Sequence, residues 1–218
     1  MPLISKVEPT KKGGRFSIFL DNDFAFSVSD YVLGKYKLTE GSNFVPEQIE
    51  LVVLDENKEY LKEKALNYLG FRPRSEKEVF NKINEVLSKR LSKSLKVSSL
   101  NIPKLYSQII DSTLEFLKKY DYLNDEAFAK WLVEQRVTQG KGPMFIKQDL
   151  YQKGINKEIS EASLEQVDFS KALNKEYLKA TKKCAKIENE YKRKSSITRY
   201  LVSRGFSYDQ IENLLLET

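Results

Sequence analysis

Leu150-Tyr-Gln-Lys-Gly-Ile155 and Leu201-Val-Ser-Arg-Gly-Phe206 carry one pattern twice, 51 residues apart. In each, an apolar residue, a basic residue, a glycine and a second apolar residue follow a helical stretch. A glycine just past the last helical residue takes the left-handed conformation that closes a helix. A polar cap and a short amphipathic helix follow both copies, ending in Leu164/Val167 and Leu214/Leu215. Upstream, Lys141-Gly142-Pro143 and Lys192-Arg193-Lys194 stand at the same offset and read as the openings of the two preceding helices. A third copy is Arg72-Pro73-Arg74-Ser75, opening a helix with Val79 and Ile83 on one face, 67 residues before the middle copy.

The rest of the chain beyond residue 60 shows almost only helical periodicity. Ile110, Leu114 and Leu117 share a face, as do Ala127, Phe128, Trp131 and Leu132, then Phe145, Ile146 and Leu150, then Ile197, Tyr200 and Leu201. Ser75 with Glu78 has the spacing of a capping box, and Asn124 before Asp125-Glu126 is a helix start. A repeat near 50 residues with three helices per unit implies neighbours stacked along a line, each covering the next one's apolar face. The expected fold is mainly α: an elongated array of three tandem three-helix repeats, nine helices in all, with a small N-terminal head containing a β-hairpin. Expected boundaries are residues 1–57 for the head, 58–120 for the first repeat, 121–167 for the second and 168–218 for the third. The extra length of the first repeat is assigned to an insertion, Ser88 to Lys104, which holds five basic residues and no acid.

In the head, Arg15–Leu20 and Phe24–Val28 alternate with period two around Asp21-Asn22-Asp23, which is hairpin-turn chemistry. Phe16, Ile18 and Leu20 are expected on one face of the first strand, and Phe24, Phe26 and Val28 on one face of the second. Leu3 to Val7 alternates more weakly and adds a third strand across Lys11-Lys12-Gly13-Gly14. The segment around Tyr31, Val32, Leu33 and Tyr36 is the expected cover. No basic residues interleave with the aromatic face, so it reads as core rather than a base-stacking platform. Pro46 opens a helical pattern that runs through the junction near residues 55–60.

The 218 residues include no histidine and one cysteine, Cys184. Histidine-based acid–base work, Ser-His or Cys-His nucleophiles and ordinary zinc sites are thereby excluded. Cys184 lies on a lysine-rich helix and reads as structural, and Asn124-Asp125-Glu126 reads as a helix start rather than a metal cluster. No enzyme, cofactor or metal is expected. No apolar run approaches a membrane span, and the N-terminus lacks a signal h-region, so an intracellular, cytoplasmic protein is expected.

Net charge is +6, unevenly spread: residues 1–57 carry 6 basic and 9 acidic side chains, residues 58–218 carry 31 and 22. A basic body of stacked repeats points to a polyanionic partner. Basic residues recurring where middle helices open would oppose the macrodipole, which suggests an external phosphate there. The candidate binding residues are Arg72, Arg74, Lys141, Lys192, Arg193 and Lys194, with Lys89, Arg90, Lys93 and Lys96 from the insertion.

Five motifs then carry a likeness. Arg72-Pro-Arg-Ser-Glu-Lys-Glu78, Tyr122-Leu-Asn-Asp-Glu-Ala-Phe-Ala129, Lys141-Gly-Pro143, Lys153-Gly-Ile155 and Arg204-Gly-Phe206-Ser-Tyr occur in this order. They resemble the RecX family of recombination regulators, and Leu20-Asp-Asn-Asp-Phe-Ala-Phe26 resembles the N-terminal extension of its Gram-positive members. The resemblance implies a modulator of the RecA recombinase that lies in the groove of the RecA–single-stranded DNA filament. It would suppress ATP hydrolysis, strand exchange and co-protease activity, and so modulate recombination and DNA repair. The expected partners are the RecA filament and single-stranded DNA, with the protein itself a monomer. The Ser88–Lys104 stretch departs from the family pattern in length and basicity, and is a candidate further DNA contact. Two other classes stay open at this point: a general nucleic-acid-binding helical repeat acting without RecA, and a metal-dependent nuclease built from Asp and Glu.

Overall fold

The computed structural model describes residues 2–11, 13–43, 45–94 and 102–217. The contacts divide the chain into two units. One holds the chain up to Arg72 together with Glu78–Leu123; the other holds Pro73–Lys77 and everything from Asn124 on.

The first unit opens with an antiparallel sheet of three strands in sequence order, β1 (Ile4–Pro9), β2 (Arg15–Leu20) and β3 (Asp23–Ser29). The β2–β3 turn places Asp21 and Asn22 at φ 49° and 72°. Positive φ at both central residues is what a tight hairpin turn matching the strand twist requires. One expectation for this hairpin fails. Ile18 pairs with Phe26 but Phe19 pairs with Phe24, so Ala25 is an extra residue in β3. This β-bulge reverses the alternation before Phe26. Phe26 and Val28 are buried as expected, whereas Phe24 is turned out, 43% exposed, its ring edge-on to Phe19.

Helix α1 (Asp30–Lys35) is capped by the Ser29 hydroxyl, which accepts the Val32 amide, and it buries Val32 beneath the sheet. Three long helices follow: α2 (Pro46–Leu69), α3 (Glu76–Ser94) and α4 (Ile102–Lys119). One continuous core joins the sheet to these helices through Ile18, Phe26, Val52, Leu61, Val79, Ile83, Leu87, Leu105, Ile109 and Leu117. The expected insertion is therefore in large part helix: α3 continues through Ser94 and α4 starts at Ile102. Leu87 and Leu91 near the end of α3 are buried with Leu105 and Ile109 near the start of α4, so apolar packing pulls both helices past their counterparts in the next repeat.

The second unit contains α5 (Asp125–Thr138), α6 (Pro143–Gln152), α7 (Lys157–Glu165), α8 (Ser170–Cys184), α9 (Glu190–Ser203) and α10 (Tyr208–Glu217). Its core is built from Phe128, Leu132, Ile146, Leu150, Ile155, Phe169, Leu173, Ile197, Leu201, Phe206 and Ile211, with Trp131 and Cys184 packed at its edge. The 51-residue offset holds in detail at the middle-helix ends. Gly154 and Gly205 take φ 83° and 95°. The Ile155 amide donates to Leu150 O at 3.1 Å and the Phe206 amide to Leu201 O at 3.2 Å. Asn156 caps α7, and the Ser207 hydroxyl accepts the Gln210 amide at the start of α10.

At the other end of the middle helices the offset breaks. It would start α9 at Lys194, yet α9 starts at Glu190, where the Asn189 side chain accepts the Lys192 amide at 3.0 Å. An asparagine N-cap outcompetes a run of lysines as a helix start, so Lys192-Arg193-Lys194 lie inside the first turns of α9 rather than opening it.

Successive middle helices meet end to end. The Gly142 amide donates to Arg204 O at 2.8 Å and the Met144 amide to Gly205 O at 3.0 Å. A Cβ at Gly142 would stand 2.5 Å from the Gly205 carbonyl carbon and oxygen. Because Gly142 has φ −86°, which alanine adopts freely, Gly142→Ala isolates this contact from backbone strain. The expected loss is about 2 kcal/mol, typical of overpacking, read from urea unfolding followed by the fluorescence of Trp131, the one tryptophan. An unchanged midpoint would mean that the approach of the two helix ends is dispensable.

Candidate nucleic-acid interface

The end-to-end arrangement recurs at the start of α3. There the Ser75 hydroxyl donates to Lys153 O at 2.7 Å, the Lys77 ammonium to Gln152 O at 3.2 Å, and the Glu76 amide to the Asp125 carboxylate at 2.8 Å. Helix N-termini that lend their donors to protein acceptors do not cradle an outside phosphate with the same groups. At α6, the Gly142 and Met144 amides go to Arg204 and Gly205; at α9, Asn189 takes the Lys192 amide. The basic residues therefore stand beside helix-start amides that already have protein acceptors, and not over an open phosphate cradle built from those amides. Their charges work as side chains near the joints, with Lys153 and Arg204 in the C-cap positions that a helix dipole favours for cations.

The candidate residues fall into distinct environments. Lys192 and Lys194 are exposed, Lys194 reaching Glu190 at 3.3 Å, and Arg193 is half-buried. Lys141 is half-buried, its ammonium 3.8 Å from the centre of the Phe145 ring. Along both α6 and α9, twelve residues separate these basic positions from the basic C-cap, Lys141 from Lys153 and Lys192 from Arg204. At 1.5 Å rise per residue that is about 18 Å, so basic groups recur at regular intervals. Arg74 is half-buried in the segment that meets Lys153. Arg72 forms a two-pronged pair with Glu78 at 3.0 and 3.1 Å.

The insertion's candidates separate further. Lys89 is 71% exposed and pairs with Glu85 one turn away. Arg90 turns inward: its Nε donates to Asn57 at 2.8 Å, its Nη2 to buried Glu56 at 3.0 Å, and its guanidinium stacks 3.9 Å from the Tyr60 ring centre. Both partners lie more than thirty residues earlier, which no local pattern announces. Lys93 belongs to the last turn of α3, and Lys96 lies outside the described residues.

Sequence reasoning passed over Tyr151 and Tyr191, 78% and 82% exposed beside the basic positions. The available signal was an aromatic residue falling off the apolar stripe next to a lysine, a surface on which unpaired bases stack.

One buried acid organises the loop that presents Lys141. Glu176 of α8 is fully buried and accepts Lys179 at 2.5 Å, the Tyr200 hydroxyl at 2.7 Å and Arg204 Nε at 3.2 Å. The backbone at Gly140, φ 74°, lies so close that a Cβ there would meet Glu176 Oε1 at 2.3 Å. Burial, the largest influence, pushes the Glu176 carboxyl up. The bonds from Lys179 and Tyr200 and the charge of Arg204 overcome it and hold the pKa below the ordinary glutamate value of 4.5.

Among the described residues, no three of His, Cys, Asp and Glu are grouped so as to hold a metal ion, and no helix is long and apolar enough to cross a membrane.

Residues 2–44 match the regulatory protein RecX N-terminal domain, residues 124–164 the second three-helix domain of RecX and residues 170–215 its third. The regulatory protein RecX of Bacillus licheniformis is 36% identical over 224 residues, covering 100% of this chain and 78% of its own length. The chain belongs to the RecX family. The regulatory protein RecX of Lactobacillus johnsonii is 33% identical over 169 residues, 77% of this chain, and the match spans 56% of that relative. A crystal structure of a regulatory protein RecX matches with TM-score 0.66 and 25% identity, covering 97% of this chain and 98% of the other. The longest middle helix, α3, and the basic stretch after it lie between the matched RecX domains.

A pH experiment checks the Glu176 arrangement. Its folded pKa is depressed, so its stabilisation is complete above the ordinary glutamate value and is lost as pH falls through the folded value. Stability of the second unit, followed by Trp131 fluorescence, is expected to drop progressively below pH 4.5. Glu176→Gln is expected to cost about 2 kcal/mol at neutral pH, the scale of hydrogen bonds to a charged group, and to flatten the acid limb. An unaltered acid limb in the variant would assign the acid sensitivity to other carboxylates.

Proposed function

We propose that this protein binds the RecA–single-stranded DNA filament and inhibits the recombinase, slowing ATP hydrolysis, strand exchange and co-protease action. It acts by occupancy, without chemistry of its own. Membership of the RecX family along nearly the whole chain carries this reading. The physical support is the spacing of basic side chains at middle-helix joints, a pattern suited to a partner with a regular polyanionic backbone.

In this reading Lys141, Lys192, Arg193 and Lys194 contact phosphates, with Tyr151 and Tyr191 offering faces for unstacked bases. Arg74 extends the same series. Arg72 and Arg90, held by Glu78 and Glu56, support the interface rather than leaving their pairs for DNA. Lys89 adds charge near the end of α3, and Lys93 and Lys96 follow it in the sequence.

Reversing Lys141, Lys192, Arg193 and Lys194 to Glu tests the assignment. Each single-strand phosphate contact contributes about −0.7 to the slope of log K against log salt, so losing four should flatten the slope by roughly 3. Helix content is expected to change little: glutamate is favourable at positions 192 and 193 in the first turn of α9, while at 194 the lost pair with Glu190 costs roughly 0.5 kcal/mol. A larger loss on filament than on naked single strand marks a recombinase-directed protein. An equal loss on both marks a general nucleic-acid binder. Unchanged affinity and slope on both would return these residues to an ordinary solvated face.

A further inference from the structure

Between Ser170 and Ile187 the chain carries six lysines, Lys171, Lys175, Lys179, Lys182, Lys183 and Lys186, against one acid, Glu176. That is a net +5 within a chain whose total is +6. The one acid does not reach the surface: Glu176 is fully buried, and Lys179 pairs with it at 2.5 Å. Lys183 leans over the Tyr200 ring, its ammonium 5.1 Å from the centre. Lys171, Lys175, Lys182 and Lys186 are exposed and make no ion pair among the described residues. Asp168, just before the helix, is engaged elsewhere: its carboxylate accepts the Ser170 amide at 2.9 Å, and the charge of Lys171 is the least of the influences on it.

Three of these lysines form a line. Lys171, Lys175, Leu178 and Lys182 follow one another at intervals of four, three and four residues, which keeps them on one face of α8. The opposite face is the one α8 buries, through Ala172, Leu173, Glu176 and Ala180. Leu178, at the centre of the line, is 60% exposed. The needs of the helix itself do not account for this arrangement. Its dipole favours Lys182 and Lys183 in the last turn. It disfavours Lys171 in the first, and Lys171 with Lys175, like Lys175 with Lys179, are like charges one turn apart, which weakens a helix. Acids of a partner lying over the lysines would offset that cost. An acidic protein segment fits the line better than nucleic acid does. No exposed aromatic on it offers a base a face, and its centre is an aliphatic side chain that a phosphate backbone leaves unmatched. The four-three-four spacing is instead that of a helix seam. A helix laid along it would set an apolar residue on Leu178 and carboxylates on the lysines.

We infer that the outer face of α8 docks an acidic helical segment of the recombinase, one apolar side chain meeting Leu178 and carboxylates meeting Lys171, Lys175 and Lys182. The inference rests on the reading that the protein binds the recombinase filament. It separates a surface that meets protein from the Lys141 and Lys192–Lys194 positions that meet the strand.

The test uses the full-length protein, with binding to the RecA filament and to naked single-stranded DNA measured in parallel over a range of salt. The filament complex is also treated with a carbodiimide, which condenses a lysine with a carboxylate in contact, and the joined residues are mapped by mass spectrometry. Lys171, Lys175 and Lys182 are expected among them, joined to recombinase acids. The triple variant Lys171→Glu, Lys175→Glu, Lys182→Glu is expected to weaken filament binding by about tenfold or more through lost steering. Its salt slope on the naked strand is expected to match wild type, because no phosphate contact is lost. Leu178→Ala, a neutral change at an exposed position that keeps a good helix former, is expected to weaken filament binding several-fold and to leave the naked strand unaffected. A naked-strand slope flattened by about 2 in the triple variant, three contacts at about 0.7 each, would make the stripe a phosphate contact and overturn the acidic segment. Wild-type protein that binds the filament with no cross-link on α8, together with unchanged filament affinity in both variants, overturns the docking face and leaves the filament reading standing. Wild-type protein that does not bind the filament at all removes both.

Discussion

The carbonyls at the end of one middle helix receive the amides at the start of another, and the rest of the second unit depends on that joint. Every helix leaves unpaired donors at its N-terminus and unpaired acceptors at its C-terminus. Abutting α6 on α9 satisfies some of both sets at once, through Gly142 on Arg204 and Met144 on Gly205. It also sets the helix dipoles head to tail. The two backbones approach so closely that neither Gly142 nor Gly205 has room for a side chain; a Cβ at Gly205 would meet the Phe145 backbone nitrogen and Cβ at 2.5 Å. The repeated glycine is therefore required both for the left-handed turn at the C-cap and for the contact made by that turn. At α3 the same joint is built with side chains, Ser75 on Lys153 and Asp125 on Glu76.

This joint connects fold to function through spacing. When middle helices meet end to end, residues near each joint recur at one helix length. Basic residues accumulate there for a local reason as well, because a cation stabilises a helix C-terminus. Arg204 shows that such a cation need not remain at the surface, since it folds onto Tyr200 and Glu176. Lys141, Lys192 and Lys194 keep more of their reach into solvent. The chain thus divides its cations between those that hold the joints and those that reach into solvent.

The elements whose cause is local were legible in the sequence. Asp21-Asn22 demands the hairpin turn, Asn124 caps α5, and Gly154 and Gly205 end their helices because few other residues tolerate the required φ. Signals set by distant partners were not legible. Nothing in the alternation of Phe24-Ala25-Phe26 marks Ala25 as the extra residue, because a bulge is decided by pairing with β2. The lysines and arginine at 192–194 look like a helix opening until Asn189 is seen to cap three residues upstream. Arg90 looks like part of a basic loop, yet Glu56, Asn57 and Tyr60 draw it inward from another helix. For the candidate site, the sequence named the basic residues. The coordinates sorted them into those already held by acids and those that face solvent.

Family membership and the recurring cations are the support for the activity proposed above, restraint of a recombinase assembled on a single strand. The most direct measurement is the steady-state rate of ATP hydrolysis by RecA on single-stranded DNA as this protein is added. The account predicts a fall in rate that follows the fraction of filament bound and is relieved by the four charge reversals at Lys141, Lys192, Arg193 and Lys194. A rate that stays constant at an excess of the protein over recombinase, under conditions where both bind the DNA, would contradict it.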